Sequence, residues 1–288
     1  SACILEDFTT LEQPSEWVTH ADGRWRPLAV AGLRQAGFTP VPPAWSGVSS
    51  ANTLSDSSLI ENQMRANGSG VTIGDIDGDQ HPDIYLARLD GPSTLYRNLG
   101  DWRFEDVTDA SGVAAEGQFS TGVALVDVDG DRDLDLVRTS IDDGASLLLN
   151  DGNGKFFKAP DSGLLGKTGA MSIALADIDG DEDLDLYITN YKRRSVLDLY
   201  SPEETSFPNT VEKTESGFKV KDEFEPHFEL VWQGDRVRRL EKAEPDNLYI
   251  NDGSGRFRHV PFDSGAFFDE DGVPIEDALP EWGLAARF

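Results

Sequence analysis

Three stretches of this chain spell nearly the same eleven-residue phrase: GDIDGDQHPDI at 74–84, VDVDGDRDLDL at 126–136 and ADIDGDEDLDL at 176–186. Counted from its first aspartate, each phrase sets acidic side chains at positions 1, 3, 5 and 9 of a short loop. The sets are Asp75, Asp77, Asp79, Asp83; then Asp127, Asp129, Asp131, Asp135; then Asp177, Asp179, Asp181, Asp185. Carboxylates crowded into one loop repel one another, and a cation converts that repulsion into coordination. An oxygen-only set suits a hard divalent ion, so the expected cofactor is Ca2+ at three sites. At position 7, His81, Asp133 and Asp183 are expected to offer backbone carbonyls, as that position does in other short calcium loops. A single Asp-Gly-Asp cluster would be an ordinary turn. Three copies with the same acidic positions favour the metal reading.

An EF-hand also begins with alternating aspartates, but it requires Gly at position 6 and Glu at position 12 between two helices. Position 6 here is Gln80, Arg132 or Glu182, and position 12 is Leu86, Arg138 or Ile188. The residues that close each loop, such as Leu134-Asp-Leu-Val, are short apolar-rich runs that favour strand. Each loop is therefore expected to join two strands.

The first aspartates lie 52 and 50 residues apart, a period close to that of solenoids, propellers and arrays. A second phrase recurs at 95–104, 147–156 and 248–257, an apolar strand, an Asn/Asp/Gly turn and another strand, which is a hairpin signature. One unit thus holds four strands, in the middle copy roughly 122–128, 134–140, 146–150 and 155–158. Such small sheets cannot bury both faces alone and must stack, so the expected fold is all-β, a β-propeller of four-stranded blades with calcium loops.

The D-[IV]-D-G-D-x-x-x-D-[LI] loops resemble the FG-GAP/VCBS repeats of integrin-type β-propellers. With Phe104-Glu-Asp-Val-Thr and the following Ser111-Gly-Val, the chain is similar to bacterial members of the cartilage-acidic-protein (ASPIC/UnbV) family. The resemblance covers about residues 66–288 and implies a propeller scaffold, which by itself specifies no activity. Such loops often carry Gly at position 6. Its absence in all three copies implies a backbone there that is strained or differently shaped.

Three interruptions qualify the repeat. Residues 1–65 lack it and form an N-terminal extension, with a short helix expected near Trp25 and a proline-rich loop after Phe38. Residues of about 192–245 interrupt the third unit and include an expected hairpin, Phe228-Glu-Leu-Val-Trp-Gln turning at Gly234-Asp into Arg236-Val-Arg-Arg-Leu. The run from Trp282 to Phe288 aligns with the strand that precedes each loop, so the propeller is expected to be incomplete in this chain. A longer polypeptide or a second chain would complete it.

The formal charge of −28 argues against nucleic acid as a partner, since three divalent cations would offset only six of those charges. No apolar run reaches the length of a membrane span. Weak calcium loops fit compartments where free Ca2+ is millimolar, so a secreted, periplasmic or cell-surface protein is expected. Cys3, the only cysteine, has two readings: a lipid anchor, from the Ser-Ala-Cys context, or a thiol.

Two functions follow. One is a noncatalytic binding, adhesion or assembly module that takes a protein or carbohydrate ligand, with calcium in a structural role. The other is a carbohydrate-active enzyme of lyase or dehydratase type, for which His227, Tyr191, Lys192 and Arg193 would be the acid–base candidates. No spacing singles those four out, and the chain has no nucleophile elbow, zinc-protease helix, Walker loop or cysteine cluster.

Overall fold

The computed structural model describes residues 18–20, 23–25, 40–269, 271–275 and 286. Cys3, most of the helix expected after Trp25 and nearly all of the 282–288 strand lie outside them. The chain divides into two units, Ser1–Pro42 and Pro43–Phe288. In the first, Val18–His20 (β1) pairs antiparallel with Gly23–Trp25 (β2).

Among its described residues, the second unit contains three four-stranded antiparallel sheets and few helices. Sheet one comprises β3 (Val71–Gly74), β4 (Asp83–Leu86), β5 (Thr94–Asn98) and β6 (Phe104–Asp106) in sequential order. Sheet two repeats that order with β7 (Phe119–Val126), β8 (Asp135–Ile141), β9 (Gly144–Asn150) and β10 (Phe156–Lys158). These strands fall within three residues of the bounds expected from the phrases. Sheet three takes β11 (Ala170–Ala176) and β12 (Asp185–Asn190), then skips to the later strands β17 (Asn247–Asn251) and β18 (Phe257–Val260). Between β12 and β17 the chain forms two separate hairpins, β13 (Val211–Thr214) with β14 (Gly217–Val220) and β15 (Phe228–Gln233) with β16 (Arg236–Glu241). Val196, Val220, Phe224 and Phe228 give this inserted segment a small core of its own.

Adjacent sheets share apolar layers, as four-stranded units with two apolar faces must. Ile76, Tyr85, Leu95, Leu136, Leu148 and Phe156 fill the layer between sheets one and two. Val137, Leu147, Leu186, Ile188, Tyr249 and Phe257 fill the layer between sheets two and three. The first strands run side by side, β7 lying beside both β3 and β11.

A Ser-Gly pair preceding each sheet latches that sheet's last strand. Gly47, Gly112 and Gly163 adopt φ of +82°, +76° and +81° and lie against the backbone carbonyls of Phe104, Phe156 and Phe257. A Cβ at Gly47 or Gly163 would overlap the carbonyl oxygen. Glycine also sets the spacing between sheets. In the hairpin turns of sheets two and three, Gly154 and Gly255 face Ile76 and Val128 of the sheet before. Sheet one has Trp102 at the same place, 66% exposed and at φ +59°.

The compact unit starts at Pro43, well before the first phrase, because the segment leading to it is packed down. Met64 and Arg65 are buried, Met64 beside Ile141 and Met171, and the side chain of Asn62 donates to the carbonyl of Arg193.

Candidate metal centres

Each acidic phrase is the connection between the first two strands of its sheet. The aspartate at position 1 folds the loop around itself. Asp75 accepts from the amides of Gly78, Asp79 and Gln80 at 2.9, 3.1 and 2.8 Å. Asp127 accepts from Gly130 and Arg132, and Asp177 from Gly180, Asp181 and Glu182. This curl needs left-handed backbone at positions 4 and 6. Position 4 is glycine in all three loops. Position 6 is not, yet Gln80, Arg132 and Glu182 sit at φ of +70°, +78° and +77°. The expected backbone strain is therefore present in every copy, at a cost of about 1–2 kcal/mol each.

Position 9 is the anchor. Asp83, Asp135 and Asp185 are fully buried at the start of the second strand of each sheet. One oxygen of each accepts the amide of position 2, from Ile76, Val128 and Ile178 at 2.9, 3.1 and 2.8 Å. The other accepts the amide of an asparagine at the end of the third strand in the sheet, Asn98, Asn150 and Asn251, at 2.7, 2.9 and 2.9 Å. The loop and the hairpin behind it are thus tied to one carboxylate. Burial pushes the Asp135 carboxyl up to about 6, although these two amides oppose the rise. Burial raises Asp83 as well, and Asp129 is raised by burial and by its neighbour Asp131.

Positions 1, 3 and 9 converge. One oxygen from each of Asp75, Asp77 and Asp83 lies within 4.8 Å of the others, and the same holds for Asp127, Asp129, Asp135 and for Asp177, Asp179, Asp185. Position 5 stays outside these groupings. Asp79, Asp131 and Asp181 instead accept the amide of position 7, at 2.8, 2.9 and 3.0 Å. At position 7 the side chains of Asp133 and Asp183 lie against Gly152 and Gly253 in the hairpin turns. His81 Nδ1 is 3.4 Å from Asp79 Oδ2.

The donor set is three carboxylates with no nitrogen or sulfur among them, and Asp77 Oδ1 is buried without a hydrogen-bond partner. Converging anions with an unsatisfied buried oxygen fit a hard cation. The asparagines at 98, 150 and 251 escaped the sequence reading. Their signal was the Asn that ends the third strand in every copy of the hairpin phrase.

The acid–base candidates lie at the root of the inserted segment, where structural contacts hold them. Lys192 Nζ pairs with Glu241 Oε1 at 2.8 Å, and the same carboxylate caps the helix Val196–Leu199 by accepting from the Val196 amide. Arg193 pairs with Glu244. His227 packs edge-on against Tyr200, and burial together with Lys192 holds its pKa below the usual range. Tyr191 is raised, by burial and by Glu241.

Comparison with known proteins agrees with the loop geometry. An FG-GAP-like repeat model matches residues 75–138 and 127–188. Cartilage acidic protein 1 of Homo sapiens is 37% identical over 70 residues, and that of Xenopus tropicalis 36% over 70 residues. Each match covers 24% of this chain and 11% of the relative, so the chain spans only a small part of those proteins. The resemblance drawn from the sequence is supported.

Proposed function

We propose, from the FG-GAP-like repeats that this chain carries, that it is a calcium-stabilised β-propeller module that binds a protein or carbohydrate outside the cell or at its surface. The observation that carries this reading is the threefold recurrence of one arrangement: a convergent carboxylate trio whose buried member is already tied to the backbone of two loops. Asp75, Asp77, Asp83 and their counterparts would hold Ca2+, with the position 5 carboxylates and the carbonyls of position 7 completing the shell. The ion supplies charge neutralisation. The protein supplies a loop shaped by its own hydrogen bonds, and the ion fixes the carboxylates that converge on it.

The stacked sheets with adjacent first strands support the propeller reading, and the strongly acidic surface favours basic or neutral ligands. No helix among the described residues is long and apolar enough to cross a membrane. The inserted hairpins, displayed between two strands of sheet three, are the place where recognition would be added to the scaffold. Calorimetric titration with Ca2+, followed by glycan and protein arrays with and without chelator and with product formation monitored, tests the reading. Saturable calcium binding and chelator-sensitive ligand capture without turnover are expected. Absence of calcium binding, or catalytic turnover of an array ligand, overturns it.

A further inference from the structure

The three loops are joined in series by residues that hydrogen-bond to both neighbours. The links are the same asparagines that anchor position 9. Asn150 donates its backbone amide to Asp135 in its own sheet, while its side-chain amide donates to the carbonyl of Ile76, position 2 of the preceding loop, at 2.8 Å. Asn251 repeats the arrangement, donating its amide to Asp185 and its side chain to the carbonyl of Val128 at 2.8 Å. The residues Ile76 and Val128 carry the series onward through their own Cα, since their amides donate to Asp83 and Asp135. Asp83, Ile76, Asn150, Asp135, Val128, Asn251 and Asp185 therefore form one line. Asn150 and Asn251 are 7% and 3% exposed, so water does not substitute for them readily.

We propose that Asn150 and Asn251 are positioning residues that couple the three cation loops, so that filling one loop raises the affinity of its neighbour. The proposal rests on the calcium reading above. A cation at one trio fixes its position 9 carboxylate and the peptides bonded to it. The asparagine passes that ordering to the next loop by holding position 2 of one loop and position 9 of the next in a fixed, buried relation. A loop joined to an already ordered neighbour has less freedom left to lose on binding. Coupling should run along the series, so loop one senses loop three only through loop two.

The amide resonances of Gly78, Gly130 and Gly180 report the three loops separately during a Ca2+ titration of the full chain. Disabling loop three with Asp177→Asn should move half-saturation of loop two to about five-fold higher Ca2+, the lower end of ordinary intersite coupling. In an Asn251→Ala background the same loop-three change should leave loop two where it was, although Asn251 lies in neither of the loops compared. Half-saturation of loop two that ignores Asp177→Asn in the otherwise unaltered protein overturns the coupling, and this arm needs no asparagine variant to fold. A shift that persists undiminished in Asn251→Ala overturns the assignment to the asparagine. Loops that fill independently leave the calcium reading standing, whereas loops that do not fill at all remove both.

Discussion

The guanidinium of Arg65 lies 3.5 Å from the centroid of the Phe119 ring, and the two residues join the segment before the first sheet to the first strand of the second. Arg65 Nη1 also donates to the carbonyl and hydroxyl of Ser58 and pairs with Glu61. Arg65→Ala should lower unfolding stability by about 2 kcal/mol through the lost cation–π contact and the stranded Ser58 groups. Chemical denaturation measures it. A change within error of an exposed control such as Glu223→Ala would show that the segment from Pro43 contributes little to the sheets.

Calcium should stabilise the fold in proportion to loop occupancy. At a free concentration twenty times the dissociation constant, mass action adds about 1.8 kcal/mol per loop. The melting temperature should fall sharply with chelator and recover when Ca2+ is restored. Asp127→Ala should remove more of this gain than Asp161→Ala, whose carboxylate is exposed and outside the loops. Equal, small losses in the two variants would count against the loops as metal centres.

Left-handed backbone at position 6 makes a prediction of opposite sign. Arg132 holds φ +78° with a side chain that this region disfavours. Arg132→Gly should stabilise the calcium-free protein by about 1 kcal/mol. Gly163→Ala should instead destabilise it by more than Gly180→Ala does, because both glycines have positive φ but only the first abuts a carbonyl. Thermal melts of the three variants decide the matter, and indistinguishable effects of the two alanines would refute the latch at Phe257.

The inserted segment should loosen in acid. Burial and the nearby Lys192 favour the neutral form of His227, so its folded pKa lies below the ordinary 6.5. Stability from the neutral imidazole is then fully present above about pH 6.5 and is lost as pH falls toward the folded value. Glu241, also close by, opposes the shift but does not reverse it. Amide exchange across 224–230 should accelerate between pH 7 and 5 once corrected for intrinsic rates. His227→Gln should flatten that dependence, and an unchanged profile in the variant would exclude the imidazole as its source.

The loops were legible because their chemistry is local and repeated: at least four acids in nine residues, three times over, leave few alternatives. The strand order of sheets one and two followed from the hairpin phrase for the same reason. The long-range terms were hidden. Nothing in the sequence around Gly47 points to Phe104, 57 residues on, and nothing around Arg65 points to the Phe119 ring beneath its guanidinium. The separation of position 5 from positions 1, 3 and 9 was equally invisible, since spacing does not reveal that Asp79, Asp131 and Asp181 turn to the amide two residues on. Asn150 and Asn251 looked like turn formers, and half of what they do is done in another repeat.

Trp102 stands where the later turns carry Gly154 and Gly255, and the consequence is that the three repeats are not interchangeable parts. Moved one place along, the first would drive an indole into the side chain its new neighbour presents. Of the three hairpin turns, the first alone carries an exposed aromatic ring at this place.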